Sequence, residues 1–355
     1  MDIKSIIKLT KNEYANIAED AIAGEINGWV DSGSYALNAL ISGSIFRGFP
    51  SNKIVGFVGV ESTGKTFFTL AACKNFMEKN PTGIVVYFET ENALTQDMLK
   101  GRGLDLSRFA HVPVATVQEF KNQALRIVDE KVTERDSSGD IPILFVLDSL
   151  GNLSTNKEME DSAAGSDTKD MTRAQIIKAA FRVLSLKMGM ANIPMIFTNH
   201  VYDKIGAGPY AGKEQGGGSG SKYAASLTVN LTKAKEKSGD EVIGSAITCT
   251  LIKSRLVKEQ TKVKVLIRFN GGLDRYYGLV DLAEKAGIFK KVSTKYEMPD
   301  GKKYYETTIV KNPTMFFTTD VLDAIDRYVQ QEFQYSGGSN NIPFDCDREE
   351  ENTNE

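Results

Sequence analysis

The sequence has only three cysteines, Cys73, Cys249 and Cys346, widely spaced and without a C-x-x-C pair, and only two histidines, His111 and His200. A disulfide framework and a Cys/His zinc site are therefore excluded, and the expected home is a reducing cytoplasm. Absent too is any apolar run near the ~20 residues of a membrane span. The opening MDIKSIIKLT lacks the apolar stretch and cleavage site of a secretory signal, so no membrane partner is expected. Charge of either sign is not in excess: 43 Lys and Arg face 46 Asp and Glu, a net of −3. That excludes a polycation but leaves room for a local basic surface. What remains is an ordinary globular composition, 41% hydrophobic and 25% charged over 355 residues, enough for roughly two domains.

Four continuous apolar runs, 54–58, 84–88, 143–147 and 194–198, are separated by helical patterns at 66–78 and 171–188. Runs of that kind predict buried parallel strands with crossover helices. In the second helix Ile176, Ile177, Phe181, Leu184 and Met188 form the apolar stripe, with Arg173, Lys178, Arg182 and Lys187 opposite. Alternating segments at 226–233, 242–252 and 263–269 predict an antiparallel continuation. Ahead of the first strand, residues 11–24 read as a short amphipathic helix through Tyr14, Ile17 and Ile22, packing on its own core or on a neighbouring subunit. Residues 203–222 are glycine-rich and aperiodic, the mark of a functional or disordered loop. The end of the chain is acidic, 345–355 holding six acids and one Arg, so that the rest sums to +2. Such a tail is expected to be disordered, and is either a solubilising end, a competitor of an anionic ligand for the basic surface or a docking segment for a loading factor.

Gly59-Val60-Glu61-Ser62-Thr63-Gly64-Lys65-Thr66 fits G-x-x-x-x-G-K-[ST] between a strand and a helix. In this motif backbone N–H groups wrap nucleotide phosphates at a helix N-terminus, Lys65 reaches the β/γ-phosphates and the Thr66 hydroxyl ligates Mg²⁺. Asp148 ends an apolar strand and is the natural second acid for the metal, its competing role being a helix cap. Glu89 and Glu91 share a face at another strand end, and spacing does not choose which orients the attacking water. Asn199 and His200 close the fourth strand, either as γ-phosphate sensors or as structural hydrogen-bonders. Lys253, Arg255, Lys258, Lys262 and Lys264 against Glu259 are a solvated strand face or a phosphate-binding edge.

GVESTGKT, FETENAL, LFVLDSLGNL, IFTNH with a Gly-rich loop, and IKSRLVKE stand in the order seen in RecA-family recombinases. The chain resembles that family over about residues 30–290, and within it the UvsX recombinases of T-even bacteriophages. The resemblance implies a RecA-like α/β ATPase core, with a mostly parallel sheet, flanking helices and an antiparallel extension. It also implies a DNA-dependent, Mg²⁺-requiring ATPase that forms a helical filament on single-stranded DNA, pairs it with duplex DNA and exchanges strands, in the cytoplasm of a phage host. A recombination mediator, a single-stranded DNA-binding protein and a helicase are the accessory partners expected. By resemblance Glu91 is the catalytic glutamate and Asn199-His200 the γ-phosphate sensor. Lys253 and Arg255 reach the ATP of the adjacent subunit, and Phe269 stacks on adenine across the same interface. Loops 151–170 and 203–222 match the two DNA loops, with Gly216, Gly217, Gly218, Lys222 and Arg182 as phosphate contacts. The departures are Met98, where an adenine-stacking aromatic is usual, and loop 151–170, with five acids against Lys157 and Lys169. The expected division is 1–30 for subunit docking, 31–278 for the ATPase and DNA-binding core, 279–335 for a small α+β lobe and 336–355 for the tail. A ring helicase motor and a non-catalytic mediator are the competing readings. The first calls for a linker or primase-like domain not seen in the sequence; the second calls for loss of the water-activating carboxylate. Deleting 337–355 is expected to tighten duplex DNA binding at moderate salt, and an unchanged salt titration removes that role from the tail.

Overall fold

The computed structural model describes residues 2–11, 15–19, 24–134, 140–166, 170–202, 214–215 and 225–335. At its centre is a ten-stranded sheet. The four predicted strands are present as β3 (Ile54–Gly59), β4 (Ile84–Glu89), β6 (Ile143–Asp148) and β7 (Met195–Tyr202), joined by β5 (Phe109–Pro113). With β9 (Leu227–Ser238) they form a parallel block in the order β9-β3-β7-β6-β4-β5. β10 (Glu241–Lys253), β11 (Lys262–Arg268) and β12 (Gly272–Leu273) extend it antiparallel, as the alternating segments predict. The short β8 (Glu214–Gln215) pairs with β7, while β1 (Trp29–Val30) and β2 (Phe49–Pro50) pair with each other apart from the main sheet.

Alternate residues of each parallel strand enter two different cores, which is why these strands read as unbroken apolar runs. Val85, Tyr87, Leu144 and Val146 face the side covered by α2 (Tyr35–Ser42) and α3 (Lys65–Lys79). Val86, Phe88, Phe145 and Leu147 face α5 (Val117–Glu134) and α7 (Arg173–Met190). In α7 the predicted stripe packs inward through Ile177, Phe181, Leu184 and Met188, with Ile176 at its margin. Every residue of α2 is buried, so no amphipathic stripe announces it in the sequence.

Two sequence expectations are corrected. The N-terminal helix is α1 (Ile3–Thr10), not 11–24. Asp2 caps it by accepting from the Ser5 N–H at 2.7 Å, and Lys11 stops it in the left-handed region at φ 50°. Among the described residues of 11–24, none is helical. Loop 151–170 contains a helix, α6 (Asn156–Ala163), set by a reciprocal cap in which Thr155 and Glu158 each bond the other's backbone N–H. Acids expected to line an open DNA loop are thus partly spent on holding this turn.

After α8 (Leu279–Lys285) the chain forms a three-stranded antiparallel sheet, β13 (Lys290–Val292), β14 (Lys295–Glu297) and β15 (Lys303–Tyr305), then α9 (Glu306–Lys311), α10 (Pro313–Phe316) and α11 (Thr319–Phe333). Its apolar side joins the α2 core without a break. The buried Asp326 of α11 accepts from Ser44 Oγ at 2.7 Å, the Ile45 N–H at 2.7 Å and Gln330 Nε2 at 2.6 Å. Asp326→Ala strands these donors and should cost ~2–3 kcal/mol, read as a lower Tm. A change within about 0.5 kcal/mol would mean that water takes over the three bonds.

Candidate nucleotide-binding site

At the carboxyl end of β3 the chain turns through Gly59–Gly64 into α3. Gly64 sits at φ +88°, and a Cβ there would lie 2.4 Å from Ile267 Cδ1, so this loop closes tightly only on glycine. Ser62 is also left-handed, at φ 59°, and Thr63 Oγ1 donates to the Val60 carbonyl at 2.9 Å. The Lys65 ammonium lies back along the loop, donating to the carbonyls of Gly59 (3.0 Å) and Val60 (2.9 Å). Burial lowers its pKa from the ordinary lysine value; the charges of Asp148, Glu91 and Glu61 act the other way.

Asp148 receives three hydroxyls. Thr66 Oγ1 (2.8 Å) and Tyr87 OH (2.7 Å) donate to Oδ2, and Thr198 Oγ1 donates to Oδ1. The expected metal pair is therefore assembled, and a hydroxyl and a carboxylate oxygen in contact are a donor set that suits Mg²⁺. The Asp148–Ser149 peptide is cis. Tyr87 and Thr198 escaped the sequence reading because inside an apolar run each passes for filler. Burial, then the Asp148 charge, pushes the Tyr87 phenol well above its usual range, so it remains a donor. Tyr87→Phe should cost ~1–3 kcal/mol of stability and raise the Mg²⁺ needed for nucleotide binding. Lost stability with an unchanged Mg²⁺ dependence would confine Tyr87 to packing.

The two glutamates left open by spacing have different surroundings. Glu89 is buried, its carboxylate accepting the N–H groups of Ala93 and Leu94 and contacting His111 Nε2. Glu91 is 39% exposed, and its Oε1 meets Asn152 Nδ2 at 2.7 Å, Ser149 Oγ at 3.3 Å and His200 Nε2 at 3.3 Å. Neighbouring Asn199 is fully buried, with Oδ1 accepting from the His200 N–H at 3.0 Å. Beside the loop the structure thus gathers Lys65, Glu91, Asp148 and His200.

Lys253 and Arg255 are not part of this cluster. Gly59 pairs with Leu231 on β9, whereas the Lys253 ammonium donates to the Ala225 carbonyl at 2.6 Å. Six residues of extended chain, about 20 Å, separate those two levels. Arg255 lines a cavity of about 510 Å³ at that far end, with Lys53, Lys178 and Arg182. The expected DNA-phosphate arginine and the expected intersubunit arginine therefore share one basic hollow. Burial, then Arg255, lowers the Lys53 pKa. Gly216, Gly217, Gly218 and Lys222 lie outside the described residues.

Phe269, 67% exposed, lines a cavity of about 760 Å³ beside α3, together with Phe67, Met98 and Arg102 of the same chain. Strand order explains this: β11 runs parallel to β3 and ends, like β3, at the phosphate-loop edge. Met98 belongs to α4 (Gln96–Gly101) on the opposite wall.

A phosphate loop at a strand's carboxyl end, with an acid at the end of another strand of the same parallel block, is the arrangement of a P-loop nucleotide-binding α/β protein. Comparison with known proteins makes the class specific. The family model for the RecA N-terminal domain matches residues 4–274. The recombination and repair protein of Enterobacteria phage T4 is 31% identical over 255 residues, 72% of this chain and 63% of the phage protein. Protein RecA of Paracoccus denitrificans is 28% identical over 291 residues, 82% and 77% of the two chains. Protein RecA of Thermotoga maritima is 28% identical over 263 residues, 74% and 68%. The chain belongs to the RecA family. No helix among the described residues is long and apolar enough to cross a membrane.

Proposed function

We propose that the protein is a DNA-dependent ATPase of homologous recombination and repair. It polymerises on single-stranded DNA, pairs it with homologous duplex and exchanges strands. The observation that carries this reading is the separation of Lys253 and Arg255 from the phosphate loop of their own chain. Two halves of a hydrolytic site stand at opposite ends of one strand block, so a complete site forms only between successive subunits. Each subunit brings a phosphate loop to one contact and the cation pair to the next.

In that site the loop N–H groups and Lys65 would hold the triphosphate, and Thr66 and Asp148 would hold Mg²⁺, which would supply charge to offset that of the phosphates. Glu91, held by Asn152, Ser149 and His200, orients water and takes its proton. Lys253 and Arg255 of the neighbour meet the charge that develops on the leaving oxygens. Phe269 and Met98 flank the base. The exposed ridge of Ile3, Ile6 and Leu9 on α1 suits docking on the next subunit. Arg182 and the loops around 151–170 and 203–222 face DNA through sequence-independent phosphate contacts, and base pairing reads homology. A mediator, a single-stranded DNA-binding protein and a helicase are the accessory partners proposed.

The test is joint-molecule formation from a single-stranded oligonucleotide, Mg-ATP and supercoiled plasmid, with a heterologous oligonucleotide as control. Products that need both homology and ATP support the reading. Directional unwinding of a forked duplex without joint molecules replaces it with a helicase motor.

A further inference from the structure

One cation in the base-side cavity has no task in the hydrolysis just described. Arg102, at the end of α4, lies over Phe67 with its Cζ 3.8 Å from the ring centroid. Its Nε is buried and has no hydrogen-bond partner among the described residues. Other arginines nearby are neutralised: Arg108 by Asp105 at 2.8 Å, Arg268 by Asp274 at 2.7 Å and Arg275 by Asp31 at 2.9 Å. Among the described residues no carboxylate lies within ion-pair distance of Arg102, and burial lowers its pKa below the ordinary guanidinium value. Nε itself is closed off by the protein, so the donors Arg102 offers to the cavity are its two Nη groups, which form no hydrogen bond among the described residues.

The cavity they face runs beside α3 from Phe67 to Asn75, starting two residues beyond Lys65, and is bounded by Met98 and Phe269. On the nucleotide-site reading, the base of a bound nucleotide occupies it. Resting on Phe67, Arg102 keeps its planar fork of donors fixed at this wall, where a neutral apolar side chain would offer none. A paired donor fork matches the O6 and N7 acceptors of guanine, whereas adenine places an amino donor beside its N7. Asp97 lines the same cavity and supplies an acceptor for the N1–H and N2 amino group that only guanine carries.

We propose that Arg102 makes the base site of this chain accept guanine nucleotides alongside adenine nucleotides. The inference rests on the nucleotide-site reading above and adds a specificity residue to it. Full-length protein with Mg²⁺ is saturated with a fluorescent ATP analogue, and unlabelled ATP and GTP are competed against it. The expected result is a GTP dissociation constant within about tenfold of that for ATP. Arg102→Leu should raise the ratio of the GTP to the ATP dissociation constant by about ten- to a hundredfold. Arg102→Lys keeps the charge but loses the fork, so it should lose GTP nearly as far. A wild-type preference for ATP beyond about tenfold overturns the proposal, and needs no variant to fold. Equal weakening of both nucleotides by Arg102→Leu overturns it too, assigning the residue to packing. Failure of the underlying reading looks different: the analogue does not bind, or binds as well after Lys65→Ala.

Discussion

Glu91→Gln should abolish hydrolysis and leave nucleotide binding intact. The substitution keeps the size and hydrogen-bonding reach of the side chain but removes its capacity to take a proton. General-base catalysis contributes about 10²–10⁴ in rate, so kcat should fall by that factor while the Kd of a fluorescent ATP analogue stays within about twofold. The control is Glu89→Gln two residues earlier. Glu89 is buried against the Ala93 and Leu94 amides and His111, so its replacement should lower Tm and leave kcat near wild type. The reverse outcome, with Glu89→Gln inactive and Glu91→Gln active, would move the base to the wrong carboxylate and sink the assignment.

Mixing two inactive variants should restore activity. Arg255→Ala alone has no effective cation to offer its neighbour, and Glu91→Gln alone has no base. In a mixed filament, a contact between the glutamate side of an Arg255→Ala subunit and the cation side of a Glu91→Gln subunit contains both wild-type groups. Random mixing in equal amounts makes about one quarter of the contacts complete, so DNA-stimulated hydrolysis should return to about a quarter of wild type. Each variant should bind the ATP analogue normally by itself. Mixtures as silent as their components would show that Arg255 acts within its own chain, against the separation of about 20 Å along β9.

Much of this architecture is legible in the sequence because its physical causes are local. The phosphate loop needs glycine where Gly64 turns left-handed against Ile267, and the parallel strands need apolar residues on both faces because helices cover both. What is not legible depends on burial or on register. α2 has no polar face, so nothing periodic marks it. The hydroxyls of Tyr87 and Thr198 matter only because strand pairing brings them to Asp148. Glu89 and Glu91 are equivalent by spacing and become different only once His111, Asn152 and His200 are placed around them. Phe269 comes to stand beside Phe67 and Met98 only because β11 runs parallel to β3, which no local pattern announces.

On the between-subunit site proposed above, the opposed placement of the phosphate loop and the Lys253–Arg255 pair also gives an assembly two unlike ends. Subunits joined head to tail by unlike surfaces do not close on themselves unless the rotation forms a ring. At one terminus a phosphate loop has no cations above it, and at the other a cation pair meets no phosphate. A run of n subunits therefore contains n − 1 competent contacts, and hydrolysis per subunit climbs with length from zero for an isolated chain. Addition at the two termini is chemically inequivalent as well. An incoming subunit completes a nucleotide already bound at one end, and must bring its own to the other, which gives growth and shedding of the polymer a direction.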